Sequence, residues 1–290
     1  MPSLIDLRRR VRSIRNTQQI TKAMKMVSAA RLRRAQDRVI NSRPYARMFA
    51  SILSDVAAAA AGDERVAEHP LLAVREERNI QLVLVTADRG LAGAYNTNLI
   101  RAAEQFVNEH AGQKVEFELY GRKGRDYFVR RDARISGELA GASQTSGLSE
   151  AKALADKLMQ RFADAEIDSV YILYNEFKSV LTQRVTLKKI LPLSVASGGQ
   201  QGEAPRDYIY EQPPAQFLGN LLPRYVLLQV LEAFLENTAA EHAARMTAMD
   251  AATNNASDVM NKLTLYINRV RQAGITNEII EVVSGAAAQG

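Results

Sequence analysis

Cysteine is absent from all 290 residues, which excludes a disulfide framework, a thiolate metal site and a cysteine nucleophile, and fits a reducing compartment. Histidine is nearly absent. His69, His110 and His242 are scattered without HExxH or any other metal-ligand spacing, and read as surface or packed residues. The stretch from Met1 to Arg10 carries no apolar core, so no secretory signal is expected. No window approaches the roughly 20 apolar residues needed to cross a bilayer, so membrane association is expected only through a partner. The most informative absence is local. The chain holds 16 glycines and 8 prolines, yet neither type occurs from Ser3 to Arg43 or from Arg224 to Ala273. Both stretches read as very long helices. At ~1.5 Å per residue they would span roughly 60 Å and 75 Å, more than one compact domain encloses.

What is present fits a folded chain: 47% hydrophobic and 24% charged residues can build a substantial core. The net charge of +6 is concentrated at one end. From Ser3 to Arg43 there are twelve Lys or Arg against Asp6 and Asp37, a balance of +10, whereas Arg224 to Ala273 holds five of each sign. A basic rod of this kind seeks an acidic surface, either protein loops or a nucleic acid backbone. Its apolar residues recur at 3-4 spacing: Leu4, Leu7, Val11 and Ile14, then an interruption at Thr17 and Gln18, then Ile20, Met24 and Val27. The second rod repeats the pattern at Leu218, Leu221, Tyr225, Leu228, Leu231 and Leu235, and later at Val259, Leu263, Ile267 and Val270. Narrow seams suit a two-helix coiled coil. With the rods at opposite ends of one chain, antiparallel pairing with each other is the simplest arrangement.

Between the rods, short apolar runs alternate with helical patterns. Strands are expected at Ile80–Ala87, Val115–Tyr120, Val170–Tyr174 and Gln183–Leu191, with helices at Ala94–Ala111 and Ser149–Ala163 and a basic segment from Arg122 to Arg131. This is the grammar of an α/β domain with a largely parallel, Rossmann-like sheet. The expected division is a helix over 1–61, the α/β domain over 62–205, with a flexible loop at Ser197–Gly202, and a second helix over 206–290. Two turns invite an enzymatic reading: Asp88-Arg89-Gly90-Leu91-Ala92-Gly93-Ala94, and Gly121-Arg122-Lys123-Gly124-Arg125. Neither contains GxGxxG or a P-loop lysine followed by Ser or Thr, and both read as tight strand-to-helix turns. No GxSxG elbow or recognisable carboxylate pair appears. No catalytic, cofactor or metal residue is expected, and the role implied is mechanical.

Three segments carry a resemblance. Ile275-Thr276-Asn277-Glu278-Ile279-Ile280-Glu281-Val282-Val283-Ser284-Gly285-Ala286-Ala287-Ala288 matches, position by position, the C-terminal signature of the gamma subunit of rotary F-type ATP synthases. The run from Ile14 to Val27 is similar to that family's N-terminal motif, and Asp88-Arg89-Gly90-Leu91 with Gly93 and Asn96 to its middle motif. Together they extend over nearly the whole chain.

The resemblance implies a non-catalytic central rotor shaft, with the two terminal helices inserted as an antiparallel coiled coil into a ring of three alpha and three beta subunits. It implies a bearing inside that ring at Ile275, Thr276, Glu278, Ile279, Val282 and Val283, where polar hooks would resist turning. Met24, Lys25, Arg245 and Gln272 match positions that engage the beta subunit. Lys25 stands beside Met24 where some members carry an acid. Tyr208, Tyr210 and Glu211 resemble the foot that meets the membrane ring of c subunits, and the epsilon subunit would sit on the α/β domain. No cofactor and no nucleic acid partner is implied. The absence of cysteine excludes the thiol control of chloroplast members and favours a bacterial type, peripheral on the cytoplasmic side of the cell membrane. Two other classes remain: a basic coiled-coil nucleic-acid binder, whose binding would weaken steeply with salt, and an α/β enzyme with helical arms, which would bind nucleotide by itself.

Overall fold

A computed structural model of the chain describes residues 4–60, 63, 69–139, 147–193 and 211–287, the side chains of 285–287 excepted. Its elements, in order, are α1 (Leu4–Ala59), β1 (Asn79–Val85), α2 (Tyr95–Glu109), β2 (Lys114–Tyr120), α3 (Arg122–Phe128), β3 (Ile135–Leu139), α4 (Leu148–Ala163), β4 (Ser169–Phe177), β5 (Gln183–Leu191) and α5 (Pro214–Ala287). Residues 1–29 with 245–290 form one compact unit and residues 30–244 the other. Chain passes between them only within α1 and α5. The expected loop at Ser197–Gly202 and the junction residues Ala61 and Gly62 lie outside the described residues.

Both terminal helices exceed the glycine- and proline-free stretches. Pro44 lies inside α1 and Pro223 inside α5. A proline inside a helix deprives the carbonyl four residues earlier of its N–H partner. For Pro44 that carbonyl belongs to Ile40, whose side chain is exposed, so water can replace the lost donor. Pro214 is the first residue of α5, where the missing N–H has no intrahelical partner to lose.

The larger unit is a five-stranded sheet in the order β3-β2-β1-β4-β5. β1 runs parallel to β2 and β4, β2 parallel to β3, and β5 antiparallel to β4. The sheet is largely parallel, as expected. β1 is buried on both faces from Ile80 to Val85, which is why it reads as a mostly apolar run, broken only by Gln81. On one face Val83, Val85, Tyr120, Ile172 and Tyr174 pack with Leu158 and Phe162 of α4, Phe49 and Val56 of α1, and Leu222, Val226, Val230 and Phe234 of α5. On the other, Phe106 of α2 meets Tyr171 at 5.1 Å between ring centres, and Phe128 of α3 stacks on Phe117 at 4.4 Å.

Strand β3 and helix α3 have no counterpart among the expected elements. The sequence Ile135-Ser136-Gly137-Glu138-Leu139 shows no apolar alternation because β3 is an edge strand whose residues are half-buried or exposed. Ser136 instead completes a polar network under α4: its hydroxyl accepts from Gln81 Nε2 at 2.8 Å, and Lys157 Nζ reaches Glu118 Oε2 at 2.6 Å. At the start of β1, the Asp168 carboxylate accepts the amides of Arg78 and Asn79 at 3.1 and 2.8 Å.

Tyr171 donates to the Glu77 carboxylate at 3.1 Å, and Lys189 reaches the same group at 2.5 Å. Burial, reinforced by the Glu77 charge and hydrogen bond, raises the phenol from 10.0 to about 12. Below pH 10 both folded and unfolded chains keep this proton, and the stabilisation is complete. As pH rises from 10 towards about 12 the unfolded chain loses the proton first, so stability falls. Tyr171→Phe should therefore lose stability less steeply in this window than the parent, as measured by urea midpoints on either side of it. Equal alkaline slopes would contradict the assignment.

Candidate functional site

In the smaller unit, α1 and α5 face each other antiparallel. Thr21 lies against Thr253, with hydroxyl oxygens 2.8 Å apart, and one turn further along α1 the Lys25 amine meets Asp250 Oδ1 at 2.5 Å. The covered positions of α1 include Leu4, Leu7, Val11, Ile14, Gln18, Thr21, Lys25 and Ser28, an unbroken 3-4 pattern, with Met24 and Ala29 half-buried beside it. This corrects the expected seam. Ile20 and Val27 are exposed, and the spacing passes straight through the supposed interruption because polar residues occupy it. In α5 the line runs through Met249, Thr253, Ala256, Met260, Leu263, Ile267 and Val270, so Met260 takes the place expected for Val259, which is exposed. The same 3-4 spacing recurs farther along α1, in the larger unit, at Leu32, Ala35, Val39, Phe49, Leu53 and Val56.

Of the expected beta-subunit positions, Met24 and Lys25 are partly exposed, Gln272 is exposed, and Arg245 is buried at 8% exposure. Lys25 and Asp250 keep side-chain exposures of 42% and 47% despite pairing, so either remains reachable. Every described side chain from Arg271 to Ser284 is exposed, including the apolar Ile275, Ile279, Ile280, Val282 and Val283. Thr276 donates to the Gln272 carbonyl at 2.9 Å, and Glu278 points to solvent with its neighbours. A helix end this apolar and this bare is an uncovered surface.

In the larger unit, Glu211 is exposed and lines an open cavity of about 770 Å³ with Ile52, Val56, Phe217 and Arg224. Tyr208 and Tyr210 lie outside the described residues. The turn after β1 is tied to its own chain. Asn96 Oδ1 accepts the Ala87 amide at 3.0 Å, Asp88 Oδ1 accepts the Arg122 amide at 3.1 Å, and the Lys123 amide donates to Ala87 at 3.1 Å. Leu91 and Gly93 hold positive φ of 62° and 58°. Asp88 and Asn96 thus serve as turn-forming acceptors, and the two glycine-containing turns brace each other. No cluster of three or more His, Asp or Glu suited to a metal occurs among the described residues, and no described helix is long and apolar enough to cross a membrane.

One constellation was not visible in the sequence. β1 ends its pairing with β4 at Leu84 and Leu173, but β4 runs on to Phe177. Helix α5 takes over as partner. The Asn175 amide donates to Asn237 Oδ1 at 3.2 Å and the Phe177 amide to Glu236 Oε2 at 3.0 Å. The other Glu236 oxygen accepts Arg43 Nε at 3.0 Å and Nη2 at 2.8 Å, and that Nη2 also donates to the Phe177 carbonyl at 3.0 Å. Nearby, Lys188 of β5 reaches Glu232 at 3.2 Å, one turn before Glu236. Tyr174 is raised above the ordinary phenol range by burial first, and then by the Glu232, Glu176 and Glu236 charges. The sequence signal was two adjacent polar residues, Glu236 and Asn237, directly after the apolar Ala233-Phe234-Leu235; their partners lie too far along the chain for spacing to reveal.

Comparison with known proteins agrees with this architecture. A family model described as ATP synthase matches residues 3–289. The ATP synthase gamma chain of Solibacter usitatus is 59% identical over 288 residues, covering 99% of both chains. That of an Anaeromyxobacter species is 46% identical over 290 residues, again covering 99% of both. Among solved structures, a chain of the Euglena gracilis mitochondrial ATP synthase, in its F1/c-ring assembly, superposes with a TM-score of 0.66 at 20% identity, covering 99% of this chain and 94% of that one. The paired terminal helices, the largely parallel sheet and the identity along the whole length lead to one conclusion: this chain belongs to the ATP synthase gamma-chain family.

Proposed function

We propose that this chain turns as the central rotor shaft of a proton-translocating ATP synthase, coupling proton flow in the membrane sector to ATP synthesis or hydrolysis in a ring of three alpha and three beta subunits. The observation that carries the reading furthest is the bare apolar end of α5, from Ile275 to Val283. Such a surface calls for an apolar surround, and a smooth one lets it rotate. The basic outer face of α1 complements acidic levers of the beta subunits, an attraction screened beyond about 10 Å at ordinary salt. Met24, Lys25 and Gln272 offer accessible contacts to a beta-subunit loop; Arg245 would have to change rotamer to join them. Glu211, with Tyr208 and Tyr210, is the proposed foot on the c-ring, and the α/β domain the seat of the epsilon subunit. The chain itself supplies no catalytic group in this reading. The complex is peripheral to the cell membrane on its cytoplasmic side.

The direct test is reconstitution with alpha and beta subunits and a probe on this chain. Assembly without rotation during ATP hydrolysis would refute the rotor. The bearing has its own test in the double variant Ile279→Asp/Val282→Asp. Both side chains are exposed, so the variant chain should keep its stability within about 0.5 kcal/mol. Placing two carboxylates against an apolar surround costs several kcal/mol, so assembly with the ring should weaken by more than about tenfold. Unchanged assembly and rotation would sink the bearing assignment.

A further inference from the structure

We infer that Arg43, Glu236 and the end of β4 form a torsion clasp that fixes the rotational setting of the α1–α5 pair on the sheet, so that torque applied to the α/β domain reaches the helices without slip. The inference rests on the rotor reading and adds to it the residues through which the force passes. Three elements meet at one carboxylate: α1 through the Arg43 guanidinium, β4 through the Phe177 amide, and α5 through Glu236 itself. The Glu236 side chain is only 4% exposed and that of Arg43 34%, so the bonds work in a medium of low dielectric, where they are strong and directional.

Direction is the point. Phe234, Val230 and Val226 hold α5 on the sheet by apolar burial, which selects the face that α5 presents but resists a small turn less sharply than a directional hydrogen bond does. Turning α5 about its axis carries the Glu236 carboxylate away from the Phe177 amide and breaks that bond. Turning the pair together also breaks the Arg43 bond to the Phe177 carbonyl. Asn237, holding the Asn175 amide two residues along β4, supplies a second tooth on the same strand edge. The rotor needs such a device because α1 and α5 are its only connections between the two units.

Because the chain has no cysteine, two introduced thiols are the only ones it carries, and labelling it before assembly keeps the labels on it. Spin labels at Asn41→Cys on α1 and Ala111→Cys on the α/β domain, both exposed positions in the larger unit, report the spread of their separation in the assembled complex. In Arg43→Met and Glu236→Gln the mean-square spread should rise about twofold, since one of two parallel ties is lost. ATP synthesis driven by a proton gradient should fall severalfold, while ATP hydrolysis by the same preparation stays within about a factor of two. Arg43→Lys, which keeps the charge but one bond at a time, should lie between. If a single variant fails to assemble, the double variant Arg43→Met/Glu236→Gln leaves no unpaired buried charge and carries the test. An unchanged spread overturns the clasp whatever the activities do. A widened spread with an unchanged ratio of synthesis to hydrolysis overturns its mechanical role. A parent complex that never rotates would refute the rotor reading instead, leaving the two outcomes distinct.

Discussion

Gly121→Ala is expected to destabilise the larger unit by about 3 kcal/mol or more, measured as a lower urea midpoint at unchanged slope. Gly121 follows β2 and caps α3 with φ 93° and ψ 145°, a region essentially reserved for glycine. A Cβ there would lie 2.2 Å from the Thr86 carbonyl oxygen and 2.7 Å from its carbon. The obstacle is backbone, and it cannot step aside, because Thr86 is held on both sides. Its amide donates to the Tyr120 carbonyl at 2.8 Å, and its hydroxyl accepts the Gly124 amide at 2.9 Å. Gly121 in turn donates to Leu139 at 3.0 Å, so relieving the clash disturbs β1, β2 and β3 together. Gly112→Ala is the control. Nothing lies within 4 Å of its added methyl, and stability should be unchanged or slightly higher. Equal stability of the two variants would remove the argument.

Phe234→Ala is expected to cost about 3–5 kcal/mol. The side chain is 1% exposed and stacks on Tyr120 at 4.2 Å between ring centres. It belongs to a cluster that joins α5 to β1, β2 and β4 and to α4, so no single element can collapse into the space left behind. Phe234→Leu should recover much of the loss, because leucine leaves a far smaller void than alanine does. A loss below about 1 kcal/mol for the alanine variant would mean that α5 is held to the sheet elsewhere.

The architecture was legible where the physics is local. A run without glycine or proline announces a long helix, and a short run dominated by Ile, Leu and Val announces a buried parallel strand, as at β1. Edge strand β3 was not legible, because a strand with half-exposed faces and a central Gly137 needs no apolar pattern. The seam of α1 was misleading for a different reason. Gln18, Thr21, Lys25 and Ser28 hold seam positions through polar partners such as Thr253 and Asp250, while exposed Ile20 and Val27 imitate the seam one position away. The tip and the middle turn carry local motifs. Arg43 and Glu236 carry none, since nothing in either neighbourhood states that 193 residues of separation end in one ion pair.

The unbroken 3-4 spacing along α1 also limits how the length of this chain can drift. Each residue of an α-helix advances by about 100°, so a single insertion would turn every later side chain off its face. Seven residues nearly restore the phase, and only if α5 changes to match. Length variation should therefore collect in the connections of the α/β domain and spare both terminal helices, making their residue count as firmly specified as their chemistry.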